Sequence, residues 1–397
     1  MCAGVNLRMA LDYLGLFDDL PESQRALAER TRAAVEREVV PRVADLYEAG
    51  EFPRQVPPIF GEIGLLGAPL PAFGNVSPLA WGLACRELER VDSGLRSFVS
   101  VQTCLVMEAI DRYGSDEQKI AWLPGLARGE TIGCFALTEP GHGSDPGGME
   151  TRAAPLPDGG YKLNGHKRWS TNGTLADVAV VWAQTNVEHG AKGIRGFLVP
   201  LGSRGVTARP IERKLSLRIS ASAEVLFDDC IVPASAMLPG AIGLGPALSC
   251  LNDARYSILW GAIGAAEACY DAALVHVGCR EQFGRKLAGF QLVQDHLVAM
   301  VDLISSSQLL AVRLAELKTA GKLRHQQVSL GKRHNVAAAQ DVARRARALL
   351  GADGILVDRV VMRHLCNLET LATYEGTEQI HTLVIGADVT GISAFRG

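Results

Sequence analysis

No two of the nine cysteines form a CxxC pair; they are scattered at positions 2, 85, 104, 134, 230, 250, 269, 279 and 366. This pattern argues against a cysteine-paired zinc site and a disulfide framework, and reads as reduced cytosolic thiols. Neither sign of charge dominates: 40 Lys and Arg against 43 Asp and Glu leave a net charge of −3. A nucleic-acid or anionic-membrane binder is therefore not expected. No stretch of 18 apolar residues is free of charge, so no membrane span is expected either. Arg8, Asp12, Asp18 and Asp19 spoil a secretory signal and fit a transit peptide poorly, which points to a soluble cytoplasmic protein. A Walker phosphate loop, HExxH, GxSxG and a strand-linked GxGxxG are all missing, which argues against a P-loop or a Rossmann nicotinamide site. The nine histidines show no metal-type spacing, and no metal is expected. Aromatic residues are few, 6% of the chain, yet 48% is hydrophobic over 397 residues. That is enough for a large core in two or three packed subregions.

The order along the chain is helices, strands, helices. Ser23 through Val40 has the apolar spacing of one amphipathic helix ending near Pro41. Ser115 and Gln118 form a capping-box start for another. β-type runs follow at Val178–Trp182, Gly196–Val199, Val206–Pro210, Glu224–Phe227 and Ile231–Pro233, separated by turn residues. They predict a small antiparallel β-domain. After Pro239 the helical period returns, with one apolar face from Val293 to Leu314 interrupted at Ser307-Gln308, and another helix from Val336 to Leu350. The expected division is an N-terminal helical domain (1–130), a middle β-domain (131–238) and a C-terminal helical bundle (239–397).

Chemistry is best sought where unusual side chains cluster. Tyr374-Glu375-Gly376-Thr377 holds a carboxylate beside an aromatic and a glycine that lets backbone approach a ligand. Taken alone it reads equally as a helix cap or turn. Cys134 to Asp145 is rich in glycine and hydroxyls, fit for a flavin or phosphate edge or for a plain turn. Trp169-Ser170-Thr171 offers an indole, a strand-end core residue or a stacking surface for a planar ring. Arg280 and Phe283, one helical turn apart and followed by Gln291, suit a pyrophosphate and an adenine, or a helix end with a glycine stop. Arg96 near Glu89 suits a substrate carboxylate; spacing alone favours a surface ion pair or a helix-end cap.

Together these segments resemble the acyl-CoA dehydrogenase family, and within it the glutaryl-CoA dehydrogenase branch. The resemblance runs from about residue 22 to 396 and is carried by Arg86 to Ser97, Thr138-Glu139-Pro140, Gly143 to Pro146, Leu251 to Tyr256 and Thr373 to Thr377. It implies a mainly α fold with a small β-barrel-like middle domain and a C-terminal four-helix bundle, assembled as an FAD-binding homotetramer. Phe135, Leu137, Thr138, Gly143, Ser144, Trp169, Ser170 and Thr171 match residues that meet the flavin, and Thr377 matches one on the flavin of its own chain. Arg280, Phe283, Gln291, Leu350, Gly351 and Ala352 match residues that reach the FAD of a neighbouring subunit. Ser144 and Leu251, Asn252, Asp253, Arg255 and Tyr256 match the CoA thioester arm; Gly376 and Phe395 complete the implied substrate set. Glu375 matches the catalytic base, whose backbone N–H and a flavin hydroxyl would hold the thioester oxygen while the β-hydrogen leaves as hydride.

The branch is marked by Arg96, whose match pairs with the far carboxylate of a dicarboxylic substrate, helped by the matches of Glu89, Ser97, Tyr374 and Thr171. The implied reaction is oxidation and decarboxylation of glutaryl-CoA to crotonyl-CoA, with an electron-transfer flavoprotein as acceptor. Departures are Ala352 in place of a glycine, Gly141-His142 beside the flavin, a short loop at 71–76, Leu95 in place of a tyrosine, and Asp253 in place of an asparagine. Asp253 would add a negative charge near an acidic substrate. The alternative readings are a dehydrogenase of another acyl-CoA or carrier-bound acyl thioester, and a flavin-binding relative without redox turnover.

Overall fold

The structure is a computed structural model that describes residues 11–395, so Cys2 and Arg8 lie outside the described residues. The apolar spacing after residue 21 becomes α1 (Glu22–Glu38), which buries Leu27, Ala28, Thr31, Ala34 and Val35 at steps of three and four. Six further helices follow: α2 (Val43–Ala49), α3 (Val56–Glu62), α4 (Pro78–Val91), α5 (Ser93–Ser100), α6 (Glu108–Tyr113) and α7 (Asp116–Ala127). Between α5 and α6 the chain winds as a π-helix, Val101–Met107, buried throughout. The capping box expected at Ser115 and Gln118 is present in full, and it starts α7.

The middle region holds β1 (Gly133–Ala136), β2 (Arg152–Pro155), β3 (Tyr161–Ser170), β4 (Val178–Gln184), β5 (Ile194–Pro200), β6 (Val206–Pro210), β7 (Ala223–Val232) and β8 (Met237–Ile242). They form one eight-stranded sheet in the order β6-β7-β3-β2-β4-β5-β8, with β1 added on β4. The sheet is mixed, not antiparallel as expected: β1 and one residue pair of β2 run parallel to β4. Every residue of β4 is buried, as a strand covered on both faces requires. The two runs expected at 224–227 and 231–233 are one strand, β7. Asp228-Asp229 reads as a turn in sequence, but Asp229 adopts φ 46° and its N–H is held by Asn164 Oδ1 at 2.8 Å.

The C-terminal region consists of α8 (Gly245–Cys279), α9 (Gln291–Thr319), α10 (His325–Leu350), α11 (Val360–Thr373) and α12 (Glu378–Thr390). Ser307 and Gln308 do not interrupt α9. Both are buried, and Gln308 donates to Glu267 Oε1 at 2.9 Å across to α8. Helices α8 and α9 are long and apolar enough to cross a membrane, but 78% of the apolar window of α8 is buried inside the protein. Arg280 and Phe283 are not one helical turn apart. The helix ends at Cys279, and a tight hairpin follows, β9 (Glu281–Gln282) with β10 (Arg285–Lys286). Its turn residues Phe283 and Gly284 both have positive φ, as this hairpin turn demands. Cys279 is disulfide-bonded, against the expectation of reduced thiols, while Cys85, Cys104, Cys134, Cys230, Cys250, Cys269 and Cys366 are free.

What positions the site is the close approach of α4 to α8. A Cβ at Gly82 would overlap the Trp260 indole, one at Gly261 the Glu89 carboxylate, and one at Gly264 the Arg86 carbonyl. Gly264→Ala should therefore force the helices apart. The added methyl meets backbone that cannot swing away, so overpacking of about 1–3 kcal/mol outweighs the better helix propensity of alanine. The expected result is a lower thermal unfolding midpoint than that of the unaltered protein; an unchanged or higher midpoint would contradict this packing argument.

Candidate active site

Arg96, on α5, is fully buried, not at the surface. Its Nε donates to Glu89 Oε2 of α4 at 2.6 Å, and its Nη2 donates to the Tyr374 hydroxyl. Burial works against its charge, but Glu89 and Tyr374 outweigh that and hold the guanidinium protonated more firmly than usual. Its Nη1 and Glu89 Oε1 are buried without a protein partner. Helix α5 is anchored from its first turn. Asp92 caps it by accepting from Gly94 N at 2.7 Å, and also accepts from Asn367 Nδ2 of α11 at 2.9 Å. Burial raises Asp92 to about 6.

The helix α11 stops at Thr373 and α12 is capped by Thr377, whose hydroxyl accepts from Ile380 N at 3.2 Å. The turn between them puts Glu375 at φ 52° and Gly376 at φ 99°. A left-handed non-glycine residue costs of order 1–3 kcal/mol and marks a constrained site. Gly376 has no room for a side chain, because a Cβ would lie 2.9 Å from the His381 ring. Arg255 Nε donates to the Glu375 carbonyl at 2.6 Å and its Nη1 to Asn252 Oδ1 at 2.9 Å. Lys332 Nζ donates to the carbonyls of Tyr374 and Gly376, the latter at 2.6 Å. The Glu375 Oε2 is buried with no partner. Burial raises its proton affinity, and Arg96, Lys332 and Arg255 oppose the rise. Burial lowers Lys332 to about 7, with Glu375 opposing that shift. A desolvated, unpartnered carboxylate among fixed cations is suited to taking a proton from a substrate.

A second cluster forms around the loop after β1. Phe135 and Leu137 are buried, Thr138 is partly so, and Gly143 and Ser144 are exposed. The loop is pinned by Glu139, which accepts from Glu150 N at 2.6 Å, Thr151 N at 2.8 Å and Lys167 Nζ at 2.9 Å. Against its burial, Lys167 and these N–H groups hold Glu139 at about 2, while burial lowers Lys167 to about 8. Trp169 adopts φ 61° and is 54% exposed, with the Arg168 guanidinium 5.3 Å from its ring. Beside it the Ser170 Oγ is buried without a partner, and Thr171 is partly buried. Nothing lies within 4 Å of a Cβ placed on Gly141 or Gly143. An exposed indole, an unpartnered buried hydroxyl and an open glycine loop fit a planar group with a polar edge.

Other expected residues lie apart or are otherwise engaged. Arg280 is 28 residues beyond Asn252 on α8, roughly 40 Å along the helix. Phe283 is 93% exposed, Arg280 and Gln291 are also exposed, and Phe283 packs edge-on with Phe290 at 6.3 Å. Leu350 is buried at the end of α10, followed by exposed Gly351 and Ala352. Tyr256 is fully buried and donates to the Pro78 carbonyl at 3.0 Å. Leu251 packs against the main core, Ser97 is buried, and Phe395 is half exposed. Asp253 pairs with Lys318 and, at 2.8 Å, with Arg112, so its charge is neutralised within the protein.

Sequence reasoning misses Lys332, Asp92, Asn367 and Lys167. For Lys332 a signal exists: it is a lone lysine in the buried stripe Val328, Gly331, Asn335, Val336 and Ala339 of α10.

Three family models match in order. They are acyl-CoA dehydrogenase, N-terminal domain, at residues 21–130, the middle domain at 134–230 and the C-terminal domain at 242–390. The mitochondrial short-chain specific acyl-CoA dehydrogenase of Rattus norvegicus is 34% identical over 372 residues, 92% of this chain and 90% of that protein. A short-chain specific acyl-CoA dehydrogenase of Clostridium acetobutylicum is 34% identical over 378 residues, 94% and 99% of the two chains. The crystal structure of glutaryl-CoA dehydrogenase from Mycobacterium smegmatis superposes with a TM-score of 0.94 at 50% identity, covering 98% of this chain and 100% of that one. A second glutaryl-CoA dehydrogenase structure from the same organism, in complex with FADH2, gives a TM-score of 0.94 at 46% identity, with 98% and 99% covered. With this sheet and these helices in this order, and with matches along nearly its whole length, the chain belongs to the acyl-CoA dehydrogenase family.

Proposed function

We propose that the protein is an FAD-dependent dehydrogenase that oxidises glutaryl-CoA at its α and β carbons and releases CO₂ to leave crotonyl-CoA. The observation that carries the dicarboxylic substrate is Arg96, a fully buried guanidinium whose Nη1 has no partner among the described residues. A buried donor left unpaired favours a guest that satisfies it, and a carboxylate suits a guanidinium best. The FADH2-bound relative from Mycobacterium smegmatis supports the cofactor, as do the exposed Trp169 and the unpartnered Ser170 Oγ. Phe135, Leu137, Thr138, Gly143, Ser144, Trp169, Ser170, Thr171 and Thr377 would hold it. When bound, FAD supplies a hydride acceptor for the β-hydrogen.

The chain's own groups do the rest. Glu375 removes the α-proton from a position shielded from water. Its backbone N–H, unpaired among the described residues, is free to stabilise the thioester oxygen as negative charge develops there. Arg96, backed by Glu89 and Tyr374, orients the far carboxylate. Decarboxylation follows because the new double bond conjugates the carbon bearing that carboxylate to the thioester, which takes up the electron pair of the broken C–CO₂ bond, and protonation of that carbon by the Glu375 carboxyl then gives crotonyl-CoA. Asp253 is paired with Arg112 and Lys318, so its negative charge is offset within the protein before it meets the substrate run.

A homotetramer is supported by apolar residues left exposed on the hairpin and α9, Phe283, Leu292, Val298 and Leu309. Arg280, roughly 40 Å along α8 from Asn252, would then serve a neighbouring subunit's cofactor. An electron-transfer flavoprotein is the proposed acceptor. A second reading rests on Glu89, which already neutralises Arg96 at 2.6 Å. It favours a short uncharged acyl thioester, in keeping with the short-chain specific relatives.

Glu375→Gln should lower turnover by about 10²–10⁴-fold, or roughly 3–5 kcal/mol of barrier, measured with FAD-loaded protein and an acceptor dye. Arg96→Ala should cost about 2–5 kcal/mol more in kcat/KM with glutaryl-CoA than with butyryl-CoA, the butyryl-CoA loss reporting the stranded Glu89 alone. Equal losses on both thioesters would support the short-chain reading. The pH profile carries a third expectation. Glu375 must be ionised to act, so the rate falls as pH drops through its raised proton affinity, above the ordinary carboxylate range. Arg96 opposes that rise, so Arg96→Ala should move the acid limb, measured with butyryl-CoA, to higher pH.

A further inference from the structure

Lys332 is a buried lysine that, among the described residues, forms no direct hydrogen bond or ion pair with a carboxylate. Among the described residues its hydrogen bonds run to two backbone oxygens, those of Tyr374 and Gly376, and its ammonium stands 5.7 Å from the Tyr374 ring. Burying an ammonium without a directly paired anion is unfavourable, and a methionine would fill the same stripe of α10 without that penalty. The two carbonyls it gathers flank Glu375, whose own carbonyl is held by Arg255 at 2.6 Å. Three consecutive carbonyls are thus drawn toward two cations, the buried Lys332 and the partly buried Arg255. The opposite side of Gly376 is closed by the His381 ring, 2.9 Å from where a Cβ would stand.

We propose that Lys332 is a positioning residue for the catalytic carboxylate, fixing the left-handed turn at Glu375 by holding the carbonyls on either side of it. This rests on the reading of Glu375 as the base. Loss of the lysine removes the ammonium donor from two partly buried carbonyls, those of Tyr374 and Gly376, and the turn relaxes toward a conformation that satisfies them. The carboxylate then swings from the α-carbon, while the pocket that receives the thioester keeps its walls.

The proton-transfer step can be read by itself with acetyl-CoA, which has α-protons and no β-hydrogen to transfer. Exchange of its α-protons in deuterated buffer is followed by mass, with rates expressed per bound flavin so that unfolded protein does not register. Lys332→Met should slow exchange by about 10²-fold, the scale of a displacement of roughly 1 Å, with KM for butyryl-CoA unchanged. Lys332→Gln, which keeps a donor without the charge, should recover part of the rate. Exchange by Lys332→Met at the rate of the unaltered enzyme would overturn the proposal. So would a Lys332→Gln as slow as Lys332→Met, which would leave charge alone at work. Glu375→Gln separates the two readings: if it exchanges at the unaltered rate, the assignment of the base fails, and not the clamp alone.

Discussion

The ion pair of Arg96 with Glu89 is the constraint on which the site depends. Both side chains are fully buried, and in such surroundings removing one partner strands the other at a cost of about 3–5 kcal/mol. The pair exists because Gly261 of α8 leaves space where any side chain would strike the Glu89 carboxylate. From it the connections spread outward. The Arg96 guanidinium meets the Tyr374 hydroxyl, and Asp92, four residues before Arg96, caps α5 and ties to Asn367 of α11. The turn that bears Glu375 is thereby registered against the N-terminal helices through one charged contact and one amide.

Counting charge in this region explains its chemistry. Arg96, Arg255 and Lys332 face Glu375 and Glu89, so cations outnumber carboxylates when all are ionised. An anionic guest, or negative charge that develops during reaction, enters a field already arranged for it. The same excess limits how far burial raises Glu375. A base whose proton affinity rose unchecked would stay protonated and idle, while one fully exposed would be a weak acceptor for a carbon-bound proton.

Much of this was legible where chemistry is local. Ser115 and Gln118 announce their capping box, and Val178 to Trp182 reads as a buried strand because it is one. Legibility fails where distant residues decide. Cys134, Phe135 and Ala136 sit in a glycine-rich passage yet form β1, since β4 lies alongside to pair with them. Arg96 reads as a surface ion pair by spacing, and only the packing of three helices shows that it is sealed. Asp253 reads as charge added near the substrate until Lys318 and Arg112 are seen to hold it. Lys332 leaves a trace, one cation in an apolar stripe, but its partners are carbonyls more than 40 residues away, and carbonyls have no signature in sequence.

The contact between Arg96 and Tyr374 joins residues 278 positions apart. Contacts of such separation close large loops and form late, after local helices and the sheet have condensed. The turn that bears Glu375 is therefore complete only where the N-terminal helices meet the last two helices of the chain. The carboxylate proposed as the base thus belongs to no single region of the chain, since its surroundings are contributed by the first helices and the last together.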